Sequence, residues 1–321
     1  MAQNAVAGNQ SYANWGFESS YGAGAVSARV FGHGTKITVT RRNSMERVYG
    51  IGARNATANV AKKYEGSASV EFVMSNGSFF RALLGTVTDG GSAPYTHTYT
   101  EANVLPSFSI DTGTELGTND EVTELKGCYV GSATITAAVD ELVKVKLECP
   151  YKTETLATSG IGSQVAETES PFTFAQGTLS IGGTINYVQS VDLTVNNSLE
   201  GIWGIGSRLK QAEPAKIREY NVKMSVAFND VSALLTKFFG ASANPLDGNP
   251  AAQATLVLTF TNGLTGSDQR SVVLTFANFY IDEHTLPKDV NEIIKEDVSG
   301  WALSCTSVVY SNNTASDDDT P

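Results

Sequence analysis

Residues 42–54 read RNSMERVYGIGAR, and residues 196–208 read NNSLEGIWGIGSR. At a shift of 154, Asn43, Ser44, Glu46, Gly50, Ile51, Gly52 and Arg54 meet Asn197, Ser198, Glu200, Gly204, Ile205, Gly206 and Arg208. Met45/Leu199, Val48/Ile202, Tyr49/Trp203 and Ala53/Ser207 are conservative pairs. Tyr64, Val70 and Phe72 meet Tyr220, Val226 and Phe228 at 156, and Leu147 and Cys149 meet Leu303 and Cys305. A near-constant offset over this distance predicts two copies of one domain, since a period near 155 is too long for a solenoid unit. The expected domains are 1–155, with an N-terminal arm over about 1–30, and 165–310. Thr153–Ser163 is the expected linker, and 311–321 an acidic, disordered tail.

The pattern inside each copy is β. Lys36–Thr40 and Val191–Val195 mix β-branched and polar residues. Leu142–Cys149 (LVKVKLEC) alternates, putting Val143, Val145, Leu147 and Cys149 on one face and Lys144, Lys146 and Glu148 on the other. Ala254–Phe260 and Ser271–Phe276 read as a hairpin around Thr261–Asp268, which holds Asn262-Gly263. One short helix per copy is expected, over Asn76–Leu84 and Asn229–Phe239, each followed by a glycine. A further short helix is expected at Pro287–Asp297. The fold class is all-β with one short helix per domain.

Between strands, each copy has a long polar connection, Gly50–Lys63 and Gly204–Arg218. Long connections inside compact β domains usually carry function. Gly50, Ile51, Gly52, Arg54, Lys62, Lys63, Gly204, Ile205, Gly206, Arg208, Lys210 and Arg218 are therefore the candidate subunit contacts.

Composition narrows the function classes. Charged residues are 17% and the formal net charge is -11, which disfavours a sequence-reading nucleic-acid binder, since such a protein needs a basic footprint. The N-terminus shows no charged-then-apolar leader, and no apolar run has bilayer length, so no membrane role is expected. The sequons at Asn55, Asn76, Asn196 and Asn312 read as chance matches. Cys128, Cys149 and Cys305 are far apart with no CxxC, the pattern of packing residues in a reducing compartment rather than metal ligands or a disulfide framework.

No catalytic constellation emerges, and neither cofactor nor metal is expected. His33, His97 and His284 are scattered and read as structural or surface residues. Gly50-Ile51-Gly52 is not followed by an amphipathic helix that would offer its N-terminus to a phosphate. Asp282-Glu283-His284 reads as a solvated turn, and Asp111, Glu115, Asp120, Glu121 and Glu124 as a polar loop without EF-hand spacing.

Several stretches resemble the tail tube (major tail) proteins of long-tailed bacteriophages and related archaeal viruses. They are Trp15-Gly16-Phe17-Glu18-Ser19-Ser20-Tyr21-Gly22, Leu105-Pro106-Ser107-Phe108-Ser109-Ile110-Asp111, Leu125-Lys126-Gly127-Cys128-Tyr129-Val130, and Ser190–Gly206 with its Asn-Asn-Ser-Leu-Glu element. The resemblance implies a β-sandwich flanked by a helix, here two in tandem, and a structural virion protein stacking in rings around a DNA channel. Its partners would be further copies of itself, other tail proteins at the tube ends, and viral DNA passing without specific binding. Six domains per ring imply three two-domain chains, a pseudo-hexamer, with six chains as the alternative. An acidic or neutral lining would let DNA slide, and net acidic inward strands are expected. A decoration or adhesin β-sandwich is the rival reading.

Overall fold

A computed structural model describes residues 8, 11–25, 27–114, 121–157, 166–228, 233–240, 244–245, 247–248 and 254–317. In chain order the first half holds β1 (Ser11–Phe17), β2 (Arg29–Val30), β3 (His33–Tyr49), β4 (Ala56–Val73), α1 (Phe79–Leu84), β5 (Gly85–Gly90) and β6 (Tyr95–Glu101). It continues with β7 (Phe108–Thr114), β8 (Glu121–Cys128), β9 (Ser132–Ala138), β10 (Lys144–Tyr151) and β11 (Thr153–Ala157). The second half holds β12 (Gly177–Ile181), β13 (Thr184–Ile185), β14 (Val188–Asn196), β15 (Ile202–Trp203), β16 (Lys210–Ala212) and β17 (Glu219–Ala227). After these come α2 (Ala233–Phe238), β18 (Leu256–Thr261), β19 (Ser271–Thr285) and β20 (Lys295–Asn312). The all-β class with a short helix in each half is as the patterning predicts.

The pairing order organises everything else. The largest sheet runs β13-β12-β18-β19-β20-β17-β14-β9-β10-β4-β3, with β6 added on β20 and β5 on β6. Within it, four strands of the first half stand in the order β3-β4-β10-β9, and four of the second in the order β14-β17-β20-β19. The halves join where β9 pairs antiparallel with β14, from Ser190 opposite Ala138 to Asn196 opposite Ser132. Thr134 and Thr194 share a hydroxyl hydrogen bond across this junction, and the Thr136 hydroxyl donates to Asp192. A separate five-stranded sheet, β11-β8-β7-β1-β2, belongs to the first half.

In β10, β14 and β17 buried residues alternate with exposed or half-buried ones along the chain. Val145, Leu193 and Val222 thus share one buried face and one core cluster that spans both halves. The opposite face is polar and bears Lys36, Glu71, Lys146, Glu148, Asp192 and Lys223. Burying one face while wetting the other is what period-2 patterning produces.

Several expectations are corrected. From Ser11 onward the expected N-terminal arm is not beyond the core: β1 pairs with both β7 and β2, and Trp15 is buried against Phe31 and Phe108. A single large aromatic sets that placement, and no alternating run announces it. The linker begins as strand β11, paired with β8, while 158–165 lie outside the described residues. Pro287–Asp297 is not a helix; the chain turns and enters β20 at Lys295. Val290 and Ile293 are exposed there, so no apolar stripe finds a surface to cover.

Leu303 is 56% exposed where Leu147 is 1% exposed, so that sequence match does not carry burial with it. Nor is the acidic tail wholly solvated. Asp317 is buried, accepts a hydrogen bond from the Tyr99 hydroxyl at 2.6 Å, and faces Arg29 and Arg81 at 3.7 and 3.6 Å. Residues 318–321 lie outside the described set, as do 229–232 of the expected second helix.

Candidate functional site

The two long connections share a turn and differ in everything around it. In each, a backbone N–H three residues on closes the turn: Ala53 donates to Gly50 and Ser207 to Gly204. Gly52 and Gly206 take the left-handed φ of +84° and +96° that such a turn requires of its third residue. Ile51 and Ile205 sit at the apex, fully exposed.

Around the first turn the strands do not stop. β3 and β4 stay paired to Tyr49 and Ala56, so the expected loop Gly50–Lys63 is strand from Ala56 onward. Only 50–55, including Arg54, forms the tip. The result is a projecting finger with Met45, Val48, Tyr49 and Val60 all exposed. Its polar residues point both ways, which leaves no amphipathic signal for a strand. Backbone pairing, with register breaks at Asn43/Met45 and Val48/Tyr49, holds it together.

Around the second turn the ladder ends at Asn196 and Glu219. The Asn197 amide donates to the carbonyls of Leu83 and Val130. Arg218 donates to Asn197 Oδ1 at 2.7 Å and to the carbonyls of Leu84 and Ala102. These groups serve carbonyls at the C-terminal end of α1, which the helix leaves without internal partners. Lys210 is buried and bonded to Glu213 at 2.6 Å. Burial pushes the Glu213 carboxyl above its usual range, against the pull of Lys210. Lys210 and Arg218 are thus both engaged inside the chain.

The second connection also braces the finger. Arg208 Nε donates to the Lys62 carbonyl and its Nη2 to Asn43 Oδ1, both at 2.7 Å. Lys63 lies 4.2 Å from the Trp203 ring centroid, and Lys62 pairs with Glu46. Of the twelve candidates, then, Gly50, Ile51, Gly52 and Arg54 form the tip, while Gly204, Ile205, Gly206, Arg208, Lys62 and Lys63 gather at its base.

The N-terminal motif proves to be a clasp. Glu18 accepts four hydrogen bonds: from the amides of Gly22, Gly24 and Gly127 and from the Ser109 hydroxyl. Gly22, at φ +82°, bends the chain round the carboxylate, and Tyr21 stacks on Tyr129. One carboxylate therefore binds β1, β7 and the end of β8. Sequence reasoning found this motif only through resemblance, because two of its partners, Ser109 and Gly127, lie 91 and 109 residues away.

The three histidines are each tied into the fold by hydrogen bonds. His97 is held between Asp89 and Asn312, and His33 meets the Glu169 carbonyl. Asp282-Glu283-His284 is part of β19 rather than a solvated turn, with His284 bonded to Glu296 at 2.8 Å. Asp111 is buried in β7, and Glu121 and Glu124 lie in β8, so the predicted polar loop is mostly strand; 115–120 are outside the described residues. No cluster able to hold a metal occurs among the described residues. No helix among them is long and apolar enough to cross a membrane.

A sequence profile of the family described as phage tail tube protein matches residues 8–300. The chain belongs to the phage tail tube family. The match runs through both halves, from before β1 to the first third of β20, and takes in the Glu18 clasp, the finger and the second turn. As a tail tube protein the chain is a structural component of the virion tail. No individually curated protein matches it.

Proposed function

We propose that this tail tube protein polymerises into stacked rings, that its halves are two copies of one tube domain, and that three chains close each ring. The observation that carries this reading is the shared strand order, β3-β4-β10-β9 and β14-β17-β20-β19, joined into one antiparallel sheet with a bare polar face. Four strands from each half make eight per chain, and three chains make twenty-four. At about 4.8 Å between strands and a tilt of about 40°, such a barrel measures about 50 Å between opposite backbones. Six chains would roughly double that.

The polar face then lines the channel through which DNA passes. Its charges interleave: Lys36 faces Glu71 at 3.5 Å and Lys146 faces Glu148 at 3.0 Å, while Asp192 and Lys223 stand opposite one another on β14 and β17. On this reading the charges named alternate in sign along the lining, where a net acidic one was expected. Paired charges release few counterions to a passing phosphate, so DNA gains little by sticking.

The finger reaches the next ring, with Ile51 and Arg54 at its tip. Electron microscopy of purified protein tests the scheme. Wild type should give tubes whose rings contain three chains by mass, with a wall diameter near the smaller value. Replacing 45–60 by a two-residue turn should leave rings that do not stack. Dispersed wild-type particles would contradict tube formation, and normal tubes from the shortened chain would contradict the role of the finger.

A further inference from the structure

The residues that lead into the second half also close off the first. The Phe172 amide donates to the Met74 carbonyl at 2.9 Å, and its carbonyl accepts from the Val143 amide at 3.0 Å. Met74 and Val143 keep one direct bond, from the Met74 amide to the Val143 carbonyl at 2.8 Å. An antiparallel pair bonded in this way ordinarily exchanges two. The second has opened to admit Phe172, and Met74, Val143 and Phe172 are all fully buried.

The second half has the same slot, and no described residue fills it. Residues 139–143 read VDELV and residues 290–294 read VNEII. Lys144 pairs with Val73 as Lys295 pairs with Ala227, so Phe228 and Ile294 stand where Met74 and Val143 stand. The Phe228 amide donates to the Ile294 carbonyl at 3.0 Å, and here too the return bond is not made. Among the described residues, neither the Ile294 amide nor the Phe228 carbonyl has a backbone partner. Both residues stay half-buried, and Ile293 beside them is exposed. An open donor and acceptor set among apolar side chains is a site for one more extended segment.

We propose that the N-terminal segment of another copy, residues 5–10, fills this slot, threading between Phe228 and Ile294 as Phe172 threads between Met74 and Val143. The proposal rests on the ring reading above and names a contact that ties its chains together. Connectivity is the first support. β12 pairs with β18 as β1 pairs with β7, with Leu179 opposite Leu258 and Trp15 opposite Ile110. Phe172 stands seven residues before Leu179, and the residue seven before Trp15 is Gly8. Gly8 is exposed, and a side chain there would meet nothing within 4 Å, which leaves it open to another copy. Within one chain the strap comes from the half lying alongside. In a ring, the half alongside the second is the first half of a further copy.

Size is the second support. Phe228 and Ile294 are each larger than the Met74 and Val143 whose places they take. The slot between them suits a smaller insert than phenylalanine, and residues 5–10 read AVAGNQ. The segment carries no charged side chain, so its entry into an apolar slot desolvates no ion.

Hydrogen exchange and sedimentation velocity on the full-length chain test the strap. In monomers the Val143 amide should be protected while the Ile294 amide exchanges freely. In wild-type rings the Ile294 amide should slow by at least about tenfold. A chain lacking residues 2–9, and a chain with Val6→Asp and Ala7→Asp, should keep the circular dichroism of the monomer. Each should need at least about tenfold more protein to form rings. In rings formed at that higher concentration, the Ile294 amide should stay as fast as in monomers.

An Ile294 amide already protected in monomers would show that the chain fills its own slot, and would overturn the proposal. So would a slowed Ile294 amide in rings of the truncated chain, an unslowed one in wild-type rings, or rings from either variant at the wild-type concentration. In each of these cases wild-type rings would still uphold the ring reading, whereas a wild type that forms none would remove both.

Discussion

Asn43 and Asn197 occupy matching places in two stretches of similar sequence, yet one is exposed on the finger and the other is buried under α1. At the first site the ladder runs on past the asparagine and projects. At the second the side chains of Asn197 and Arg218 leave the ladder and bond four backbone carbonyls. A strand ends where its side chains find better partners than the next rung. The Gly-Ile-Gly turn is common to both stretches and decides neither outcome.

That contrast gives the largest expected effect. Arg218→Ala should cost about 2–4 kcal/mol in urea unfolding, because it strands buried carbonyls and an amide oxygen. Asn43→Ala should cost less than about 0.5 kcal/mol, as for most exposed sites. Comparable losses at both would mean that the finger is part of the core and break the distinction.

A smaller effect concerns the brace. Arg208→Ala removes the bonds to Lys62 and Asn43, and amides at the base of the finger should exchange up to about tenfold faster while the global transition stays put. An unchanged exchange pattern would show that backbone pairing alone sets the finger.

The smallest is a pH effect. Burial raises the Glu213 carboxyl, which Lys210 draws down, and the Asp317 carboxyl, which the Tyr99 hydroxyl, Arg29 and Arg81 draw down. A raised folded pKa means that the folded state holds the proton more tightly. The stability these groups contribute is full below their ordinary range and lost as pH rises through the folded value. Thermal melts should therefore favour pH 5 over pH 7 by a margin that shrinks in Glu213→Gln and Asp317→Asn.

Legibility in the sequence followed amphipathicity. Leu142–Cys149 and the β18–β19 hairpin could be read directly, because one face of each is dry. The finger could not, since Arg41–Arg47 and Ala56–Lys63 are polar on both faces and only their mutual pairing makes them strands. Trp15, Asp317 and the acceptors of Arg218 depend on partners far along the chain, which no local pattern encodes. The candidate contacts were found as a group by their repetition. Their division into tip, brace and buried network needed three dimensions.

The three cysteines are buried and unpaired by disulfide. Burial pushes the Cys305 thiol up to about 12 and likewise raises those of Cys128 and Cys149. Oxidants act on thiolates within reach of solvent. The thiols of a tail built from this chain are thus shielded from both cross-linking and oxidation, and the sulfur open to oxidants is that of methionine, Met45 on the finger above all.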